Sequence, residues 1–411
     1  MKDLLLITPP FTQLNTPYPA TAYLKGFLNT KNISSYQIDL GIEVILEIFS
    51  KKGVTEIFNV KPKNLSENTQ RIFALREEYI KTIDEVIAFL QNKKPTLARQ
   101  ICSMNFLPEA SRFNQLDDME YAFGNMGLQD KAKHLATLYL EDLSDYIIEN
   151  IDENFGFSRY AERLGRSANS FDELYEKLQS EKTFVDNFTV EILDKKLLET
   201  QPKLVCFSVP FPGNLYSAFR CAQYIKNHYP NIKTAFGGGF ANTELRDLKD
   251  KRVFEFFDFI TLDDGELPIE LLFENICHFE QSEESLFKRT FLLENGEVVY
   301  KNNSERHDYK QAEIGTPDYT DLPLDQYISV IEIANPMHSL WSDGRWNKLT
   351  MAHGCYWGKC TFCDISLDYI KIYEPIAAKI LVDRMQELIE KTGENGFHFV
   401  DEAAPPALMR E

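Results

Sequence analysis

Three cysteines, Cys355, Cys360 and Cys363, fall within nine residues of a 411-residue chain that holds only seven. Thiolates this close can converge on one soft metal centre. A structural zinc site closes itself with four ligands, and an ordinary iron–sulfur cluster takes four thiolates. Here the nearest other cysteine is Cys277, far upstream, and none follows Cys363. A trio without a fourth member describes a metal centre with one position left open. The fold must therefore present residues 351–366 as a loop that aims three sulfurs at one point and leaves space beside them. A half-formed zinc knuckle and a chance cluster of reduced thiols are the alternatives. His353 is a candidate fourth zinc ligand, but it sits only two residues before Cys355, a spacing that directs its side chain elsewhere.

The rest of the chain alternates strands and helices. Leu4–Ile7 is a short apolar run that ends in Thr8-Pro9-Pro10, as a buried parallel strand followed by a sharp turn would. A helical period follows over 17–29, then a strand over 36–40 and a helix over 43–49. This is a βαβ opening. From about 54 to 200 long amphipathic stretches take over, at 66–92, 129–154 and 171–198. They are read as a helical insertion within the first domain, with a separate helical domain as the alternative. The strand–helix pattern resumes at Lys203–Ser208, with Asn214 or Ser217 as candidate caps of the helix that runs to Tyr229. Further strands are expected over 232–236 and 257–262, and a helix from Pro268 to about His278. Asn295-Gly296 between apolar runs predicts a hairpin. A polar stretch over 302–324 reads as a linker, and 318–327 is expected to pack along both domains. Strands are expected over 329–334, 346–351 and 397–400, with an amphipathic helix over 376–391.

The expected fold is thus a doubly wound, Rossmann- or flavodoxin-like parallel sheet over residues 1–300, a linker over 301–340, and the start of a second α/β unit over 341–411. Doubly wound sheets bind ligands at the carboxyl ends of their strands. Three loops fall there: Ser208–Asn214, Gly237–Phe240 and Asp264–Glu266. Three consecutive glycines, Gly237, Gly238 and Gly239, let a backbone approach a ligand closely, although a tight structural turn looks the same.

At the cysteine loop, with Gly354 before the first cysteine and Phe362 between the last two, the sequence resembles the radical S-adenosylmethionine superfamily. It departs from the commonest spacing by one residue, with four residues rather than three between Cys355 and Cys360; Gly358 can absorb the difference. The resemblance implies that Cys355, Cys360 and Cys363 hold a 4Fe-4S cluster whose fourth iron binds S-adenosylmethionine, with reductive cleavage to a 5′-deoxyadenosyl radical. It also implies Phe362 beside the adenine, and Asp401 and Glu402, at the end of the strand over 397–400, as contacts to S-adenosylmethionine. A solvated acidic loop is the alternative for that pair. The first domain is similar to the cobalamin-binding domain that precedes many radical S-adenosylmethionine domains. The likeness rests on the Pro-Pro strand end, Phe207-Ser208-Val209-Pro210, the glycine triplet and Asp264-Gly265-Glu266. It implies Ser208, Gly237, Gly238 and Gly239 along the nucleotide tail of cobalamin. The Asp-x-His-x-x-Gly pattern that gives some such proteins a cobalt ligand is absent. Some members of the family keep this domain without the cofactor.

The implied activity is radical chemistry on a small-molecule or peptide substrate, possible methyl transfer from cobalamin included, with an electron donor such as flavodoxin or ferredoxin. A non-catalytic zinc- or cobalamin-binding sensor or scaffold is the alternative. Only 56 residues follow Cys355, and at roughly 30 residues per βα unit they hold two at most. The second domain is therefore expected to be the first part of a partial barrel, and the chain a fragment without turnover. A net charge of −19 argues against nucleic acid and anionic membranes as partners, since both are bound by lysine and arginine. No apolar run is long enough for a transmembrane helix, and the opening residues meet Pro9 too early for a signal peptide. Seven cysteines in no regular framework suit a reducing cytoplasm.

Overall fold

The computed structural model describes residues 2–63, 66–103, 105–115, 127–166, 170–277, 285–333, 340–341, 347–359, 367–401 and 405–411. Its centre is a seven-stranded sheet in the order β2-β1-β3-β4-β5-β6-β7. The strands are β1 Leu4–Thr8, β2 Ser35–Asp39, β3 Leu204–Ser208, β4 Lys233–Gly237, β5 Phe259–Thr261, β6 Thr290–Glu294 and β7 Glu297–Lys301. The first five run parallel, and the β6–β7 hairpin adds two antiparallel strands at the edge. Every residue of β1 and β3 is buried, as a predominantly apolar strand with both faces covered must be. The hairpin turns on Asn295 and Gly296, both at positive φ, the backbone that a two-residue turn between twisted strands requires.

Principal helices are α1 Ala20–Thr30, α2 Leu40–Ile48, α3 Lys51–Asn59, α4 Glu67–Ala74, α5 Arg76–Leu90, α6 Gly127–Asn150, α7 Asp172–Gln179, α8 Phe184–Thr200, α9 Pro212–His228, α10 Gly239–Glu244 and α11 Glu266–Cys277. Side chains alternate along the strands. Leu5, Ile7, Phe207 and Phe236 face one large apolar cluster, which also takes in Tyr79 of α5, Tyr139 and Tyr146 of α6 and Leu193 of α8. The helices between β2 and β3 therefore share the core of the sheet. Leu4, Leu6, Leu204 and Cys206 face the other side, against Phe27 of α1 and Ile269 and Leu272 of α11.

A second, smaller unit follows. It contains the strands β8 Asn347–Leu349, β9 Ala352–His353, β10 Glu374–Pro375 and β11 Phe397–Phe399, and the helix α12 Ala378–Thr392. β8 and β11 are parallel neighbours, and β9 pairs antiparallel with β10. Leu349, Met351, Ile376, Leu381 and Leu388 form its core together with Ala22 of α1 and Tyr319. The stretch before it is a strap rather than a free linker. Asp318 N–H donates to Ala22 O (2.9 Å), Tyr319 Oη to Lys348 O (3.0 Å), and Tyr327 Oη to Asp39 Oδ2 (2.8 Å).

Two local expectations are corrected. Residues 329–333 form no strand; Ser329 N–H and Ile331 N–H instead reach Leu90 O and Thr137 Oγ1, both outside any sheet. Neither Asn214 nor Ser217 caps α9, which starts at Pro212. Asn214 lies inside the first turn, and its amide donates to Pro9 O (2.9 Å) and Phe11 O (2.7 Å), so it fixes the loop after β1. Ala334, Trp346 and His278, at the edges of expected elements, lie outside the described residues. Among the described residues no helix is long and apolar enough to cross a membrane.

Candidate functional site

The winding of the sheet reverses between β1 and β3: one connection leaves β1 toward β2 and the next crosses to the other side of β1. Such a switch point opens a crevice at the carboxyl edge. A cavity of about 240 Å³ lies there. The three expected loops converge on it. Ser208, Gly237, Gly238, Asp264, Gly265 and Glu266 line the wall, and α1 contributes Thr21, Tyr23 and Leu24. Leu6, Cys206 and Ile269 form an apolar floor. Burial pushes the Cys206 thiol up to about 12, so it stays a neutral apolar group.

The glycines are set by the protein's own contacts. Gly238 has φ +102°, and a Cβ there would lie 2.8 Å from Val209 O. At Gly237 it would strike Thr261 Oγ1, and at Gly239 Pro210 O, each at 2.8 Å. The loop after β4 is thus pressed onto the loop after β3, Val209 N–H donating to Gly237 O (2.8 Å). Gly237 and Gly238 reach the cavity; Gly239 instead opens α10.

The mouth of the cavity is acidic. Asp263 pairs with Arg246, and Arg289 holds the same loop through Leu262 O (3.2 Å) and Asp264 O (3.1 Å). Desolvation, with the charge of Asp264 added, pushes Glu266 up to about 7. Asp264 Oδ1 lies 2.8 Å from Nε2 of His353. That bond, first among the causes, raises the imidazole above its ordinary value. It joins the edge of the large sheet to β9, two residues before Cys355. A second tie runs beside it: Thr350 N–H donates to Tyr23 Oη (2.7 Å).

The chain leaves β9 through Gly354, at φ +72°, where a Cβ would stand 1.7 Å from Ile372 O. Cys355 follows, half-buried, and its Sγ accepts from Trp357 N–H (3.4 Å). A backbone N–H on sulfur stabilises thiolate charge, and such bonds tune cysteine-ligated clusters. Tyr356 and Trp357 are 45% and 54% exposed, so this side of the loop is open. Cys360, Phe362, Cys363 and Glu402 lie outside the described residues. Asp401 lies at the end of β11. Its carboxylate accepts from Met351 N–H (3.0 and 2.8 Å) and Ala352 N–H (2.9 Å). It braces the strand that delivers the cysteine loop. Among the described residues no three His, Cys, Asp or Glu side chains converge as a metal site.

Sequence patterns pointed to the three strand-end loops but not to Tyr23 or to the His353–Asp264 pair. A tyrosine on an amphipathic helix carries no signal of its own. The partners of that pair are 89 residues apart, and only the folded chain relates them. The chain matches no family model, no curated protein and no solved structure.

Proposed function

We propose that this chain carries the cluster-binding part of a radical S-adenosylmethionine enzyme, joined to an α/β domain of the cobalamin-binding type. What supports it most is the setting of Cys355. The residue follows β9, within the connection between the parallel strands β8 and β11, through a glycine that admits no side chain, and its sulfur receives a backbone N–H. Its loop is tethered by His353 to the cavity at the edge of the large sheet. Cys355, Cys360 and Cys363 are the proposed holders of the 4Fe-4S cluster. When bound, that cluster supplies one-electron reductive cleavage of S-adenosylmethionine.

The residues of the chain then orient and enclose. Asp401 keeps β8 and β9 at a fixed distance from β11 through Met351 and Ala352. Asp264 and His353 hold the cysteine loop against the cavity. The cavity is below the range of drug-sized pockets, so it suits one end of a ligand rather than a whole corrinoid. Its apolar floor suits a flat ring, as in the base of the nucleotide tail of cobalamin. Ser208, Gly237 and Gly238 are the proposed contacts. The substrate, a small molecule or peptide, and the electron donor, a flavodoxin or ferredoxin, belong to the same proposal.

Metal content after anaerobic reconstitution tests it. About four iron and four sulfide per chain are expected, with most of both lost in Cys355→Ala. One zinc per chain without sulfide would favour the non-catalytic module instead. Corrinoid absorbance that stays with the protein on gel filtration checks the cavity separately.

A further inference from the structure

The unit that carries the cysteine loop has a second polar feature, on a different face. Lys348 is the middle residue of β8, and its register partner on β11 is His398. In paired parallel strands such residues project to the same side. Their neighbours Leu349, Phe397 and Phe399 belong to the core under α12, so Lys348 and His398 lie on the face turned away from that helix. Parallel strands are normally covered on both faces. Here the face under α12 is apolar, and the other carries an amine and an imidazole.

Lys348 is only 6% exposed. Among the described residues no hydrogen bond or ion pair reaches its ammonium group. The charge of Asp39 acts on it from a distance, without a hydrogen bond or ion pair between the two. Asp39 Oδ1 is taken by Gly41 N–H (2.9 Å) and Oδ2 by Tyr327 Oη (2.8 Å). Trp341 stands edge-on to the His398 ring, with centroids 4.8 Å apart, and gives the face an aromatic wall. An amine drawn largely out of water, with no partner among the described residues, is favoured by loss of its proton or by a bound anion. The first tendency is present: desolvation brings the Lys348 amine down to about 8. The two strands lead at their carboxyl ends to Cys355 and Asp401, where ligands of parallel α/β units bind.

We propose that Lys348, flanked by His398, binds an anionic group, carboxylate or phosphate, of a ligand seated on the β8–β11 face opposite α12. The site needs no metal at the cysteines, so it stands or falls apart from the function proposed above. Reductive methylation of the 411-residue chain, read lysine by lysine by mass spectrometry, tests it with inorganic phosphate, succinate or chloride at equal ionic strength. Phosphate or succinate at about ten times its dissociation constant should slow labelling of Lys348 roughly tenfold. The exposed Lys379 should be labelled at one rate throughout. Whichever anion protects identifies the phosphate or the carboxylate. Equal labelling of Lys348 in all three arms would overturn the proposal. Calorimetry on the wild type and Lys348→Met decides the case if the amine is too occluded to label. Heat of anion binding should vanish in Lys348→Met, a variant that loses an unmatched buried charge and should fold at least as well. Undiminished binding in that variant, or none in the wild type, would also refute it.

Discussion

Gly354 is invariable in this structure for a reason of space: any side chain would meet the carbonyl of Ile372. Single residues of this kind decide where the cysteine loop starts. Asp39 does the same for α2, whose first amides it caps, while it also receives the hydroxyl of Tyr327. Burial outweighs those bonds and pushes its carboxyl up to about 6. An acid whose pKa is raised on folding favours the folded state while it is protonated. That contribution is complete below its unfolded value near 4 and is lost as pH rises through about 6. The stability of the wild type relative to Asp39→Asn should therefore fall by roughly 2–3 kcal/mol between pH 4 and pH 7. Urea unfolding of both proteins across that window measures it, and parallel pH curves would show that the carboxyl is not perturbed.

At the scale of elements, α8 begins with a capping box between Thr183 and Asp186, a pattern that the sequence displays. The same Asp186 has a second role that the sequence hides. It pairs with Arg220 of α9 at 3.0 Å, with side chains 2% and 3% exposed, and accepts from Tyr216 Oη (2.8 Å). Arg220 also donates to Leu178 O (2.9 Å) and Lys177 O (3.3 Å) and so closes the carboxyl end of α7. Three helices meet at one guanidinium. Removing one member of a buried ion pair leaves the other charge unmatched, which costs about 3–5 kcal/mol. Arg220→Ala should lose that much in chemical denaturation, and Asp186→Asn with Arg220→Met should recover a good part of it. Strand positions such as β1 and β3 were legible because short, mostly apolar runs between turn residues have few alternatives. The stretch over 329–333 was misread because buried apolar residues of a strap and of a strand have the same composition. Asn214 was misread because a side-chain amide suits a cap as well as it suits a bond to a distant loop.

For the whole molecule, the large sheet and the cysteine-bearing unit meet through α1, the strap and the Asp264–His353 bond. Ala22 lies in the core of the second unit, and Tyr23 both lines the cavity and holds Thr350. The pair is partly exposed, with side chains at 27% and 24%, so its coupling energy should be modest, about 1 kcal/mol. Its effect on order should be local. Asp264→Asn and His353→Gln should each speed amide exchange over 352–357, and the double variant should add little to either. Fully additive changes would mean that the two residues act separately.

The succession of strands, the loops that gather at their carboxyl ends and the cysteine trio were all present in the linear chain, since each is a local pattern of hydrophobicity, turn chemistry or ligand spacing. What packing alone decided is which loops face one another. It set Asp264 against His353, placed the glycines against their close neighbours, used Asp401 as a brace and left Lys348 largely buried with no partner among the described residues. These depend on residues tens to hundreds of positions apart, and no periodicity encodes a distance that only the closed core creates.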